Sequence, residues 1–589
     1  MVEVNDQAEP EVQPARPGHR IAEIAAYGSY LTLAVLVLIR LWIDPARRVL
    51  SSNDDDHGFF LFVLAHGERV VFHGANPLFS DRLNVPDGVN MMANTSVLAL
   101  SLPAAPITHF FGAGASVVLL LTLGLSGTAA AWYWVLSRHL VRSRVAAWIG
   151  GLWCGFCPAM IGHANGHINF VSQFAVPFIV WQVIRLREPG RVRRGGVLLG
   201  LLVVLQVFIN EETLLFTALT LGVFVAVWAA LARRAAIEAV GRFGAGLGVA
   251  LLVAAVLLAY PLWFQFAGPG SYHGQPFPPD EYVTDLLSIG AYARQSLAGS
   301  DVVARMLSVS ATEDNTFFGV PGLVLLVVAT VLIWRSVAAR AAAISALVLL
   351  LVSMGTKLRV GGHVTAVPLP FGLVSHLPVI DLVSVTRFAM VAATIAGVLL
   401  ALAADRVGAF SRPRRAAFWI GLTVALVPVL PKPLPTVAAD PLPSFLADGT
   451  WRSYVPADRT LVTVPLPEVT TGRAGMRWAA LSGLEFRSPR GYFMGPADPP
   501  ADDTGSWNAP HRFTSDLITR ILLYGQPPVI TDAERRAFST DLDFWRAGLV
   551  VLVPGTPHGD VLRTALIDLF GREPQAVGGV ELWAVPSTG

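Results

Sequence analysis

Charge is what this sequence has least of. Asp, Glu, Lys and Arg make up 14% of 589 residues, against roughly 25% in soluble domains. A mean hydropathy of +0.56 accompanies that deficit and excludes a chain that is soluble throughout. Lysine is almost missing: Lys357 and Lys432 stand against a crowd of arginines. Net charge is +2, too balanced for a nucleic-acid-binding surface. Cysteine is limited to Cys154 and Cys157 in "LWCGFC", inside an apolar run, so the two read as small packing residues rather than a redox pair. Internal repeats and metal-finger spacings are missing too. The opening "MVEVNDQAEPEVQPARPGHR" is polar and Pro-containing, and 1–23 reads as a cytoplasmic tail rather than a secretory signal.

What the chain has in quantity is long apolar runs. A span needs roughly 20 such residues, and Arg-rich short loops mark the cytoplasmic side. Segments 24–43, 114–137, 145–161, 168–186, 196–210, 214–232, 243–266, 317–334, 340–355, 386–403 and 415–431 then alternate as about eleven crossings. Every Arg cluster between them falls on one side, and the motifs rich in Asp, Glu, His and Asn fall on the other. In the long first outer loop, 44–113, the stretch 58–73 reads as an interfacial helix. The run 97–111, with Pro103 and Pro106, reads as a membrane-edge or re-entrant piece. The composition changes at "LPKPLPTVAADPLPSFL". From there 433–589 is expected to be a linker and an extracytoplasmic α/β domain, with strands at "TLVTVPL", "GLVVLVP" and "VELWAVP".

Four constellations carry chemistry. The first is "SSNDDDHG": Asp54, Asp55 and Asp56 repel one another, which favours a bound cation or a raised pKa on one of them, as a general base needs. The second is "GHANGHIN", with His163, Asn165, His167 and Asn169 at an outer helix end. Its glycines argue for a turn rather than a helical zinc pair, so it suits hydrogen bonding to a sugar or phosphate. The third is Asn210, Glu211 and Glu212, carboxylates that a membrane tolerates only at its rim or in a wet cavity. The fourth is cationic: Lys357, Arg359, Arg387 and Arg82, of which Arg387 heads a span at phosphate depth. Two outer loops add Tyr272, His273, Tyr282, Glu313 and Asp314, groups that sugar sites use and that any outer loop uses as well.

The inside N-terminus, the single span and the acidic first outer loop resemble the GT-C superfamily of membrane glycosyltransferases, which use polyprenyl-phosphate sugars. "NPLF...LNVPDGVNMM", the Gly-His motif and "VPLPFGLVSHLPVIDLVSVTRFAM" resemble a group of its bacterial members. The resemblance covers 24–403 and implies a transmembrane GT-C-like catalytic region, 24–432. It implies inverting transfer of a sugar from a polyprenyl phosphate, such as arabinofuranose or mannose, to a cell-envelope glycan or glycolipid. The family's base falls here on Asp54, Asp55 or Asp56, with Asp56 preferred because it directly precedes the expected helix. A divalent cation, Mg2+ or Mn2+, held by Asp54 and Asp56 stays open. The alternatives are a lipid-linked sugar transporter or flippase, or a non-catalytic glycan-binding or assembly protein. Polar groups at outer helix ends and the lack of a repeat disfavour a transporter.

Overall fold

Within a bilayer no backbone N–H or C=O can be left unpaired, so apolar runs of this length fold as helices. The computed structural model describes residues 17–586 apart from 279, 378, 379, 470, 500 and 508. Residues 1–16 of the expected tail lie outside these. The helix Pro17–Val37 already takes in the remainder of the tail.

Among the described residues, six helices are long and apolar enough to cross a membrane: Arg20–Val37, Ala113–Leu140, Arg144–His163, Glu211–Leu231, Arg233–Ala267 and Val385–Val407. The chain is a polytopic helical membrane protein. The other five expected crossings fall on shorter helices, including Val176–Arg185, Val320–Ile333 and Val337–Val352. Small residues bring helices close, as membrane packing favours. A Cβ on Gly196 of Val192–Val207 would lie 2.6 Å from the Gly246 carbonyl oxygen of the neighbouring long helix. Cys154 and Cys157 are free and buried, Cys154 against Gly397.

One piece of the first loop differs from expectation. The stretch 58–73 belongs to a helix, Asp54–His73, that is core rather than interfacial: Phe59, Phe60, Leu61, Phe62, Val63 and Leu64 are all buried. An all-apolar run has no polar face to offer water, so it is covered on every side. It packs on Leu98–Phe111 and on a C-terminal helix, Arg473–Leu481. Leu98–Phe111 is itself continuous, with both prolines inside it.

After the last apolar helix the chain returns to the start of the first loop. Thr436–Ala438 pairs antiparallel with Arg48–Leu50, a strap next to "SSNDDDHG". Beyond it lies a four-stranded sheet in the order Gln575–Val577, Val580–Ala584, Ala547–Leu552, Thr460–Val464. Ala547–Leu552 and Thr460–Val464 are parallel and buried along their whole length, which is why they read as unbroken apolar runs. Helices Phe513–Tyr524, Asp532–Phe544 and Gly559–Phe570 close a core with Leu517, Phe538, Leu566 and Trp583. A separate hairpin, Met494–Asp498 with Asp502–Trp507, reaches back over the first loop.

Candidate active site

Asn53 caps the helix Asp54–His73, its side chain accepting from the Asp56 backbone N–H. The cap starts the helix at the acidic run and turns the three carboxylates in different directions. Asp54 and Asp55 face the C-terminal segment, where Arg473 donates from Nη1 to Asp54 (2.8 Å) and from Nη2 to Asp55 (2.9 Å). Burial pushes Asp55 up to about 6 even though Arg473 opposes it. Beside them lies a cavity of about 200 Å³ lined by Asp54, Asp55, Arg473, Arg477 and Tyr492, among others.

Asp56 turns the other way. Its Oδ2 accepts from Asn53 Nδ2 and His167 Nε2, each at 2.7 Å, and its Oδ1 accepts from the Tyr492 hydroxyl at 2.8 Å. Burial works to raise this carboxyl. The His167 charge and the bonds from His167, Asn53 and Tyr492 outweigh burial and hold it well below the usual carboxylate range. Burial and the Asp56 charge push Tyr492 well above its ordinary value, so the phenol stays a donor. A carboxylate offers about four acceptor positions. Three are filled here, and the free one is on Oδ1 beside Tyr492.

His167 belongs to the turn between helices Pro158–His163 and Ile168–Val171. Gly166 in that turn has φ +114, and a Cβ there would lie 3.4 Å from the His57 backbone N and 3.5 Å from Asn53 Nδ2. Glycine therefore lets the turn approach the head of the acidic helix. His163 and His167 meet Nδ1 to Nδ1 at 2.8 Å, so one proton lies between the two rings. With Nε2 donating to Asp56, His167 Nδ1 accepts in the neutral ring and donates in the imidazolium. Asn165 donates from Nδ2 to the Ile161 and Gly162 carbonyls, and its buried Oδ1 has no partner among the described residues. Asn169 is buried, its Oδ1 unbonded.

His163 stacks on Phe170, with ring centroids 4.6 Å apart, and the Arg387 guanidinium lies over that same ring at 4.6 Å. Arg387 donates to Glu313 Oε1 from Nη2 (2.8 Å) and Nε (3.0 Å), and to Glu212 Oε2 from Nη1 (2.9 Å). The arginine expected to meet a phosphate is thus held between two carboxylates. Glu211 turns aside to accept from Gln265 at 2.8 Å, and Asn210 caps its helix through the Thr213 N–H. Lys357 is exposed on a separate strand, Lys357–Val360.

The structure therefore brings together Asp56, His163, His167, Glu212 and Arg387 from the sequence candidates. It also draws in Glu313 from the outer loops named in the sequence, and adds Asn53, Phe170 and Tyr492. Asn53 had a signal, an Asn directly before a helix. Tyr492 had none: its contact with Asp56 spans 436 residues.

Among the described residues, the side chains grouped so that they could hold a metal are His163, His167 and Glu313, with ligand atoms within 4.8 Å of one another. Two imidazoles and one carboxylate suit a borderline ion such as zinc better than Mg2+ or Mn2+, which prefer oxygen. Glu313 is already bound by Arg387 and His167 by Asp56. Asp54, expected beside Asp56, points to Arg473 instead. The donor set does not fit Mg2+ or Mn2+.

A family described as a domain of unknown function, DUF6311, matches residues 72–430. The chain belongs to the DUF6311 family. In this DUF6311 member His163, His167, Glu212, Glu313 and Arg387 lie within the matched region, whereas Asp56 and Tyr492 lie outside it. No curated protein matches the chain. Similar solved structures include the Archaeoglobus fulgidus oligosaccharyltransferase in its apo form, at 12% identity and a TM-score of 0.49, over 90% of this chain and 69% of that one. Another is AglB of Archaeoglobus fulgidus with an inhibitory peptide and a dolichol-phosphate, at 13% identity and a TM-score of 0.44, over 91% and 70%. ArnT from Cupriavidus metallidurans bound to undecaprenyl phosphate is similar at 11% identity and a TM-score of 0.47, over 98% and 99%. At these scores none of the three carries an argument about this chain's chemistry.

Proposed function

We propose that this protein is an inverting glycosyltransferase of the GT-C type. It would move a sugar from a polyprenyl phosphate to a glycan or glycolipid acceptor at the outer face of the cell membrane, with Asp56 as the base. One observation carries this reading: Asp56, whose carboxyl is held below rather than above the usual range, is fixed through Oδ2 by two donors and keeps, among the described residues, one unfilled acceptor position on Oδ1. An acceptor hydroxyl at that position gives its proton to Oδ1 as its oxygen bonds to the anomeric carbon. The bond from that carbon to the phosphate oxygen breaks, and its electron pair leaves with the phosphate. A single displacement inverts the anomeric configuration.

His167 and Asn53 orient the carboxylate. Arg387 joins the segments bearing Glu212 and Glu313, and through Phe170 the His163 turn. No step is routed through a metal. The topology with the N-terminus in the cytoplasm and the acidic loop outside rests on the placement of the Arg-rich loops.

The test is sugar transfer by the purified full chain with a panel of polyprenyl-phosphate sugars. Asp56→Asn is expected to lower kcat by roughly 10²–10⁴-fold, while Asp54→Asn and Asp55→Asn keep most of it. Equal turnover in all three variants would end the assignment of the base. An absence of turnover with every donor would end the enzyme reading.

A further inference from the structure

Tyr492, which meets the core ring Phe59 edge-on at 6.0 Å, continues outward into an aromatic row that the base alone does not explain. Its ring is near-parallel to Trp507, at 25° with centroids 5.5 Å apart, and Trp507 is near-parallel to Phe277, at 24° and 6.5 Å. Phe277 meets Tyr282 edge-on at 5.0 Å. Face-to-face contact needs only roughly 3.5–4 Å, so at these centroid distances the rings are not in full face-to-face contact. All four rings are half-buried. A hydrophobic core would have enclosed them.

The row is built from two parts of the chain. Trp507 ends the hairpin that follows Tyr492, and Phe277 and Tyr282 come from the loop after Arg233–Ala267. The parts are joined by backbone bonds, His273 N–H to the Asp503 carbonyl at 3.0 Å and Gly505 N–H to the His273 carbonyl at 2.7 Å. The hairpin is also clamped to the first loop, where Asn94 and Met494 exchange bonds of 2.8 and 2.7 Å. The Tyr282 hydroxyl lies in electrostatic range of Glu313, Arg387 and Asp56. The platform is thus held in place, with the Tyr492 phenol bonded to Asp56.

We propose that this row binds the acceptor and that the acceptor is a saccharide. A sugar ring has an apolar C–H face, which suits the negative face of an aromatic ring, and a rim of hydroxyls. Stacked on the row, its rim meets the phenols of Tyr492 and Tyr282 and the free position on Asp56. A lipid chain or an apolar peptide would use the rings but leave that polar end unmatched. This inference rests on Asp56 being the base of sugar transfer. It adds that the C-terminal segment selects the acceptor.

The experiment is calorimetric titration of the full chain in nanodiscs with soluble oligosaccharides of hexoses and of pentoses, without donor. Wild type is expected to bind at least one of them. Trp507→Ala is expected to bind at least tenfold more weakly, and Trp507→Phe to recover most of the affinity. Asp56→Asn is expected to keep saccharide binding, weakened only by the loss of its own contact, while transfer falls roughly 10²–10⁴-fold. In the transfer assay Trp507→Ala should raise the acceptor KM with kcat and the donor KM little changed. Equal saccharide binding by wild type and Trp507→Ala, or none by wild type, overturns the platform. Unimpaired transfer by Asp56→Asn would instead overturn the base and leave the binding result standing.

Discussion

Three consecutive aspartates fall into two environments, and the hydrogen bonds to each decide what it can do. Asp54 and Asp55 meet a cation, whereas Asp56 meets two oriented donors and a phenol. The phenol is one of the groups that lower the Asp56 pKa. Tyr492→Phe removes that bond, so the folded pKa of Asp56 rises toward the ordinary value. A base works only when deprotonated, so the acid limb of the pH–rate profile is expected to move to higher pH. A profile of kcat/KM against pH checks this. An unchanged acid limb with lower activity would mean that Tyr492 acts on binding alone. At this scale the sequence was partly readable. The acidic run and the two histidines stand out as unlike neighbours of apolar spans, whereas a tyrosine in "RGYFMG" looks like any other.

Elements are positioned by a few buried ionic contacts and by glycines where backbones meet. Arg387 joins the helix Glu211–Leu231, the loop bearing Glu313 and the start of the helix Phe388–Val407. Arg387→Ala leaves two carboxylates without their cation, a loss of roughly 3–5 kcal/mol of stability. Unfolding in mixed micelles is expected to show it as a lower midpoint. Replacing Arg387, Glu212 and Glu313 together by Met, Gln and Gln should cost less than the single change, because no buried charge is then left alone. Long helices were legible from their apolar runs. The first-loop helix was legible as a helix but not as core, since its cover, Arg473–Leu481, comes from far along the chain. The breaks around "GHANGHIN" were suggested by glycines, yet the reason for Gly166, room for Asn53 and His57, exists only in three dimensions.

The whole molecule has a membrane part and a C-terminal part that share one core. Trp478, Ala479 and Leu484 are buried in the same apolar cluster as Phe62 and Leu64. A chain ended after Lys432 would lose the strap on Arg48–Leu50 and uncover the first-loop helix. It is expected to melt at a lower temperature than the full chain in the same detergent, by a differential scan. A melting temperature equal to that of the full chain would show the two parts to be independent. The α/β character of the C-terminal part was legible in its buried strands. Its docking was not, because nothing local in "LNVPDGVNMM" says that the Asn84 and Val85 N–H groups will donate to the Arg490 and Ser488 carbonyls.

The distance in sequence between Asp56 and its partners also sets an order of events during synthesis. His167 follows Asp56 by 111 residues and Tyr492 by 436. At roughly 5–20 residues per second, the ribosome supplies the imidazole many seconds before the phenol. A nascent chain therefore carries Asp56 held by Asn53 and His167 but without its Tyr492 bond until its last quarter emerges. Premature termination then yields an inserted membrane protein without the Tyr492 contact, rather than a shortened copy of the complete one.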